Sequence, residues 1–110
     1  MQIIMQKELV NKKQIRNNFR NTCLIRDEYS CVLCGKKNVD LDVHHITNRN
    51  EMPNGGYVKE NGISLCSECH ILAENYLNHI EEAEKYNPTF LYQLISSNKE
   101  LAYQKSLNLK

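Results

Sequence analysis

The sequence lacks the features that would place it among membrane, fibrous or repeat proteins. It has no apolar run long enough to span a bilayer and no secretory signal peptide, so we expect an intracellular, cytoplasmic protein with no membrane partner. It also has no internal repeat and no low-complexity tract. With 110 residues, 25% of them charged and 41% hydrophobic, the chain is expected to fold as a single small domain over residues 1–110.

A strong net charge is also missing, but the charges are unevenly distributed. The formal net charge is +1, which by itself argues neither for nor against a nucleic-acid partner. Residues 1–26 carry six lysines and arginines against one glutamate, whereas residues 27–84 carry eleven acids against four bases. This distribution suits a protein whose basic flank meets phosphates while its centre holds cations.

Cysteine, by contrast, is abundant, with five residues in a short chain. Four of them form two Cys-x-x-Cys pairs, Cys31 with Cys34 and Cys66 with Cys69. Disulfides are rare inside cells, and a thioredoxin-like redox motif would need a βαβ pattern that the sequence does not have. Four thiolates suit tetrahedral zinc. We therefore predict a closed, structural zinc site that supplies much of the folding free energy of the domain.

The N-terminal flank has the periodicity of an amphipathic helix over residues 12–26. Ile15, Phe19 and Cys23 recur at helical spacing, with Thr22 as a fourth candidate for the apolar side. Cys23 is therefore predicted to be a small core residue and not a fifth metal ligand. Whether the basic side of this helix meets only solvent or contacts DNA stays open; its members are Lys12, Lys13, Arg16 and Arg20.

The middle of the chain is predicted to form two strands followed by helices. Apolar residues alternate between Val39 and Ile46, which indicates a strand and puts His44 and His45 on opposite faces. Turn residues favour an irregular loop over 47–59, with a second short strand over 63–65 and a helix from 70 to about 85. Asn87 and Pro88 then predict a helix start, and Ser97 or Asn98 a cap for a last helix, so that helices cover about 88–107.

The motifs, taken together, resemble the HNH endonucleases that have a four-cysteine zinc site. The resemblance covers about residues 26–74 and rests on an Arg-Asp-x-Tyr-x-Cys lead-in, Cys-x-x-Cys-Gly, Val-His-His-Ile and Asn-Gly-Ile-x-Leu-Cys-x-x-Cys-His. It implies a small α+β fold: a ββα-metal hairpin-helix core over about 26–80 with zinc knuckles, flanked by N- and C-terminal helices. The activity that it implies is metal-dependent hydrolysis of DNA, in which one or both strands of the duplex are cut. The expected products have 5′-phosphate and 3′-hydroxyl ends.

The resemblance also implies a role for each motif residue. His44 and His70 would bind a catalytic divalent cation, and His45 would be the general base that activates water. Asn61 would either bind the metal or brace the loop. A histidine with an ordinary pKa near 6.5 is a base matched to neutral pH, which agrees with the role of His45. The catalytic cation stays open among Mg²⁺, Mn²⁺, Ni²⁺ and Zn²⁺, since these ligands tolerate all four.

Residues near these motifs give further candidates. Glu74 lies four positions after His70, on the same side of the predicted helix, and is either an additional metal ligand or a solvent-exposed glutamate. His79 falls about half a turn away and is excluded. Arg49 and Arg26 are candidates for contact with the DNA phosphates, along with Lys13, Arg16 and Arg20.

Two other functions fit parts of the sequence. A non-catalytic zinc-ribbon module that binds nucleic acid would use the cysteines and the basic flank, but it leaves the three motif histidines unexplained. A protein-interaction zinc module would need an exposed apolar patch. If the nuclease cuts both strands, the terminal helices are candidates for forming a homodimer.

Overall fold

The fold is small and α+β, with a two-stranded antiparallel hairpin covered by helices, as the sequence predicts. The computed structural model describes residues 2–77 and 86–109, with side chains from residue 12 onward. Helix α1 spans Gln2–Arg26, and the strands β1 and β2 span Leu41–His45 and Gly62–Cys66. Helix α2 spans Ser67–Leu77, α3 spans Pro88–Leu94 and α4 spans Lys99–Leu107. The order β1, β2, α2 is the predicted ββα core.

The hairpin register places the histidine pair at the end that leads into the long loop. Leu41 pairs with Cys66, and His45 pairs with Gly62. The observed β1 is shorter than the predicted strand: Val39 lies before it and is 43% exposed. Every residue of β2 is buried. The hairpin is therefore covered on both faces, and its two faces carry different side chains to different helices.

Helix α1 packs closely against the start of β2. Phe19 and Cys23 are buried and Ile15 is half-buried, as the apolar periodicity predicts, but Thr22 is exposed. Gly62 makes the close approach possible, since a Cβ there would lie 2.6 Å from a Phe19 ring carbon and from Cys23 Sγ. The helix also begins before the predicted residue 12, in a stretch of mixed composition for which the sequence indicated no element.

The loop between the strands is more regular than predicted. Arg49–Glu51 and Lys59–Asn61 are short 3₁₀ helices, and Pro53–Gly56 between them is a tight turn in which Asn54 and Gly55 have φ values of +55° and +82°. The free edge of β2 is occupied as well: the Val32 N–H donates to Ser64 O at 3.0 Å, and the Ser64 N–H donates to Asp27 Oδ2 at 2.9 Å. The first cysteine knuckle is thereby attached directly to the hairpin.

The starts of α3 and α4 agree with the capping residues predicted from the sequence. The Asn87 side chain accepts from Thr89 N, and the Asn98 side chain accepts from Leu101 N, so Asn98 rather than Ser97 caps the last helix. Helix α2 begins three residues before His70, directly after β2. Its predicted end near residue 85 and the exclusion of His79 fall outside the described residues. Among the described residues, no helix combines the length and the apolar character needed to cross a bilayer.

Candidate active site and metal centres

The four cysteines of the two Cys-x-x-Cys pairs converge at one end of the hairpin. The first pair lies on a tight turn, in which the Gly35 N–H donates to Cys31 O at 2.8 Å and Gly35 takes a φ of +80°. Glycine adopts that left-handed conformation without steric cost. The second pair joins β2 to α2, with Cys66 ending the strand and Cys69 in the first turn of the helix. The four sulfur atoms lie within 4.8 Å of one another.

The spacing of the sulfur atoms fits a tetrahedral zinc ion. Sulfurs at about 2.3 Å from a central zinc are separated by about 3.8 Å, and Cys34 Sγ lies 3.7 Å from Cys66 Sγ. Backbone N–H groups of Cys66 and Cys34 outweigh burial and lower the pKa of Cys31 to about 7. The pKa of Cys69 is raised well above its usual range by burial and by hydrogen bonds with the neighbouring Cys66 and Cys31 thiols. Such crowded thiols become thiolates together only with a cation to balance their charge.

A second group of metal-binding side chains lies between β1 and α2. His44, His70 and Glu74 place their ligand atoms within 4.8 Å of one another. Glu74 Oε1 lies 3.3 Å from His44 Nδ1 and 3.4 Å from His70 Nε2, so one carboxylate oxygen stands between two ring nitrogens. The two imidazole rings are 5.2 Å apart between centroids. The hairpin and helix thus bring the two histidines together, as predicted from the order of the elements.

His44 has the environment expected of a metal ligand. Its side chain is fully buried, and neither ring nitrogen makes a hydrogen bond. Burial, together with the positive charges that His70 and His45 can carry, lowers the pKa of His44 to about 3. The ring is therefore neutral at physiological pH and has a lone pair available. A buried polar group without a partner is costly, and a cation between His44, His70 and Glu74 would remove that cost.

Asp42 orients the second histidine of this group, a role that the sequence analysis missed. Asp42 Oδ2 lies 3.1 Å from His70 Nδ1. When that nitrogen donates to the carboxylate, the proton is on Nδ1 and the Nε2 lone pair faces Glu74. Strand alternation contained the signal for this residue, because Asp42 lies two positions before His44 and therefore on the same face of β1.

His45 points to the opposite face of the hairpin, as the alternation predicts. Its ring stacks on Phe19 of α1 with centroids 4.6 Å apart and meets the Tyr57 ring edge-on at 4.8 Å. Nε2 is buried without a hydrogen-bond partner. Burial, and next the charges of Arg49 and His70, lower the pKa of His45 to about 4. The His45 ring is therefore neutral and held between the Phe19 and Tyr57 rings. It is not part of the group formed by His44, His70 and Glu74.

Asn61 braces the loop through all the hydrogen bonds that its side-chain amide can make. Its Oδ1 accepts from Thr47 N at 3.0 Å and from Tyr92 Oη at 2.7 Å. Its Nδ2 donates to Thr47 O and Gly56 O at 3.1 and 3.2 Å. Both lone pairs and both protons of the amide are used. Of the two roles left open for Asn61, this arrangement supports bracing, and metal binding by its Oδ1 stays a prediction that would require one of these hydrogen bonds to break.

Arg26 is held by partners within the chain, and its contact with DNA stays a prediction. Its guanidinium donates to Lys59 O and Gly62 O, each at 2.6 Å, and makes a two-pronged ion pair with Asp27 at 2.7 and 2.8 Å. These four hydrogen bonds leave one N–H of five for any other partner. The side chain joins the end of α1 to the turn before β2.

The other basic candidates lie on the surface. Arg49 is exposed, and its guanidinium donates to the Tyr57 hydroxyl at 3.0 Å, beside the ring that contacts His45. Arg20 makes one long hydrogen bond, 3.4 Å, to Leu41 O. Three further side chains on α1 are exposed: Lys12, Lys13 and Arg16.

Comparison with protein-family models matches residues 31–76 to the family described as HNH endonuclease. The matched segment contains both groups of metal-binding residues and His45, and it leaves out α1, α3 and α4. No curated protein and no solved structure matches the chain significantly.

Proposed function

We propose that this chain is a metal-dependent DNA endonuclease that hydrolyses phosphodiester bonds, because residues 31–76 match the family described as HNH endonuclease. One observation carries the proposal: two adjacent histidines occupy different environments. His44 faces a ligand group and His45 faces an aromatic clamp. Metal-dependent hydrolysis of a phosphodiester by this scheme uses a cation site and a separate base, and the two histidine environments are suited to these two roles.

In the proposal His44, His70 and Glu74 hold the divalent cation. Their donor set, two imidazoles and one carboxylate, suits Mn²⁺, Ni²⁺ or Zn²⁺ better than Mg²⁺, which prefers oxygen ligands. When bound, the cation supplies Lewis-acid neutralisation of the phosphate and of the leaving oxygen. The four cysteines hold a separate zinc ion that stabilises the fold.

His45 is proposed as the general base that takes a proton from the attacking water. A pKa of about 4 keeps its ring unprotonated at neutral pH, although the same shift makes it a weaker base than a free imidazole. The Phe19 and Tyr57 rings restrict its rotation, which reduces the entropy lost when water and phosphate are aligned.

The exposed basic residues are proposed to bind the DNA backbone. Arg49 donates to the hydroxyl of Tyr57, whose ring contacts His45, so it is the candidate for the scissile phosphate. Residues further along α1 would meet phosphates beyond the cut site: Lys13, Arg16 and Arg20. Such contacts give binding that weakens steeply with salt.

The alternative is a zinc module that binds nucleic acid without cutting it. It accounts for the cysteines and the basic helix, but not for the buried ring of His44, whose nitrogens have no hydrogen-bond partner. A single ββα site is expected to nick one strand. Double-strand cutting would point to the homodimer suggested by the terminal helices.

Cleavage of supercoiled plasmid tests the proposal. Zinc-loaded protein is incubated with plasmid and, in separate reactions, Mg²⁺, Mn²⁺, Ni²⁺ or additional Zn²⁺. We expect nicked circles with at least one of these cations, and none with chelator. His45→Ala is expected to reduce the nicking rate by about 10²- to 10⁴-fold.

Gln104→Ala, an exposed position on α4, is the matched control and should cut as the wild type does. Plasmid that remains supercoiled with all four cations, while gel shifts show binding, would favour the non-catalytic module. Equal nicking by His45→Ala would remove the base assignment but leave the nuclease. Linear product together with a dimeric mass on DNA would support the homodimer.

A further inference from the structure

A buried ring of hydrogen bonds connects α3 to the loop that follows His45. Tyr92 Oη lies 2.7 Å from Asn61 Oδ1 and 2.7 Å from Thr47 Oγ1, and Asn61 Oδ1 accepts from Thr47 N at 3.0 Å. All three side chains are buried, with exposed fractions of 3%, 0% and 7% for Tyr92, Asn61 and Thr47.

The direction of each hydrogen bond in the ring follows from the donors available. The Tyr92 hydroxyl has one proton and donates it to Asn61 Oδ1. It must therefore accept from Thr47 Oγ1, which has one proton of its own. The ring closes through the Thr47 N–H to the same Asn61 oxygen. The run from the Thr47 hydroxyl through the Tyr92 hydroxyl to Asn61 Oδ1 is a buried chain of two hydrogen bonds that reinforce each other, so the loss of either hydroxyl weakens or removes both.

The ring holds the segment of chain that carries the proposed catalytic groups. Thr47 lies two residues after His45 and two residues before Arg49. The neighbouring Ile46 N–H donates to Asn61 O at 2.9 Å, so the exit from β1 is tied to residue 61 at two successive positions. Of the three ring residues, Tyr92 alone lies outside the segment 31–76 that matches the family.

We propose that Tyr92 is a positioning residue for the nuclease reaction, which orients His45 and Arg49 through Thr47 and Asn61. This inference rests on the proposed function. It gives α3 a definite role: the buried Tyr92 hydroxyl completes the site from outside the segment that matches the family, by fixing the backbone between the base and the phosphate-binding arginine. The phenol touches neither cation ligands nor substrate in this scheme.

Tyr92→Phe tests the proposal, because it removes the hydroxyl and keeps the ring. We expect kcat for plasmid nicking to fall by about tenfold with KM for DNA unchanged, since small misplacements of catalytic groups lower kcat. Zinc content should stay at the wild-type level. The Thr47 amide is expected to exchange its hydrogen at least about tenfold faster, because the local structure opens more often. Tyr103→Phe, on α4 with 42% of its surface exposed, is the matched control and should change none of these.

Thr47→Val is the second variant and removes the other hydroxyl of the ring. It should reproduce the loss in kcat, and the double variant should be about as slow as either single one, because the ring is already broken. The amide exchange reports on positioning even if the wild type fails to cut DNA, which would overturn the proposed function alone. Unchanged exchange at Thr47 in both variants, or a change in KM with kcat intact, would overturn the role of Tyr92. If Tyr92→Phe does not fold, Thr47→Val supplies both measurements.

Discussion

The cysteine group and the histidine group meet in α2's first turn, at the neighbouring residues Cys69 and His70, yet they are built in opposite ways. The cysteine group has four identical donors on two short segments, the turn at Cys31–Gly35 and the junction between β2 and α2. The histidine group has mixed donors from β1 and α2, and groups from α1 and the long loop shape its surroundings. A structural metal site can be specified locally, whereas a site for chemistry depends on the arrangement of distant elements.

Removing a cysteine ligand should have the largest effect on the molecule. A structural zinc ion contributes about 10 kcal/mol or more to folding in small zinc domains, comparable to the whole stability of a typical domain. We expect Cys34→Ser to lose zinc and cooperative thermal unfolding, as measured by metal analysis and circular dichroism.

Cys23→Ala is the matched control, because Cys23 is a buried thiol outside the cysteine group. It should keep one zinc per chain and lose only about 1 kcal/mol. Full zinc content in Cys34→Ser, or loss of zinc in Cys23→Ala, would contradict the division between ligand and core cysteines.

Mild acid should destabilise the histidine group before it affects the cysteine group. The folded-state pKa values of His44 and His45, about 3 and about 4, lie below the value near 6.5 of an unfolded chain. As pH falls below 6.5 the unfolded state takes up protons that the folded state does not. The free energy of unfolding should therefore fall by roughly 1 to 2 kcal/mol per pH unit between pH 6.5 and 5.5.

Urea unfolding at each pH, in buffer without added divalent cations, measures this slope, and a zinc-sensitive dye checks that zinc stays bound. The stability that is lost is present in full only above pH 6.5, and the loss ends below the folded pKa values. A flat profile across this range would contradict the neutral, buried state of both rings.

Replacing His44 with an apolar residue should raise the stability of the fold while abolishing activity, which the loss of a cysteine ligand should not do. In His44→Leu the buried nitrogens without hydrogen bonds are gone and the volume is similar. We expect the variant, without a catalytic cation, to be about 1 kcal/mol more stable than the wild type and to lose plasmid nicking. A variant that is less stable by several kcal/mol would mean that the imidazole is satisfied in the folded state.

The smallest effect is expected for the ion pair beside the zinc site. Lys36 Nζ lies 2.9 Å from Glu68 Oε1, and both side chains are exposed. Solvent screens such pairs, so Lys36→Ala should leave both the melting temperature and the zinc content unchanged within error. A clear fall in either would show that Lys36 helps to neutralise the thiolates.

The parts that could be predicted from the sequence are those determined by short spacings. Strand alternation separated His44 from His45, and Asn87 with Pro88 marked the start of α3. The contacts that could not be predicted are those between residues far apart along the chain. Arg26 reaches Lys59 and Gly62, and Asn61 reaches Tyr92, contacts for which neither periodicity nor spacing has a signal.

The start of α2 was placed too late for a related reason. The Cys66-x-x-Cys69 pair was interpreted as a separate knuckle, whereas the chain passes from β2 directly into the helix at Ser67. Cysteine ligands can lie on a helix as readily as on a turn when the other pair supplies the turn. The spacing alone does not distinguish these two cases.

Because α2 starts at Ser67, one rigid turn of the helix carries both Cys69 and His70, and this connects the two metal-binding groups. An ion bound by the cysteines fixes the rotation of this turn, and with it the direction of the neighbouring imidazole. Occupancy of one centre should thereby raise the affinity of the other, and thermodynamic linkage requires the effect to be equal in both directions. The two centres would then fill as a cooperative pair, with the tighter thiolate centre loading first.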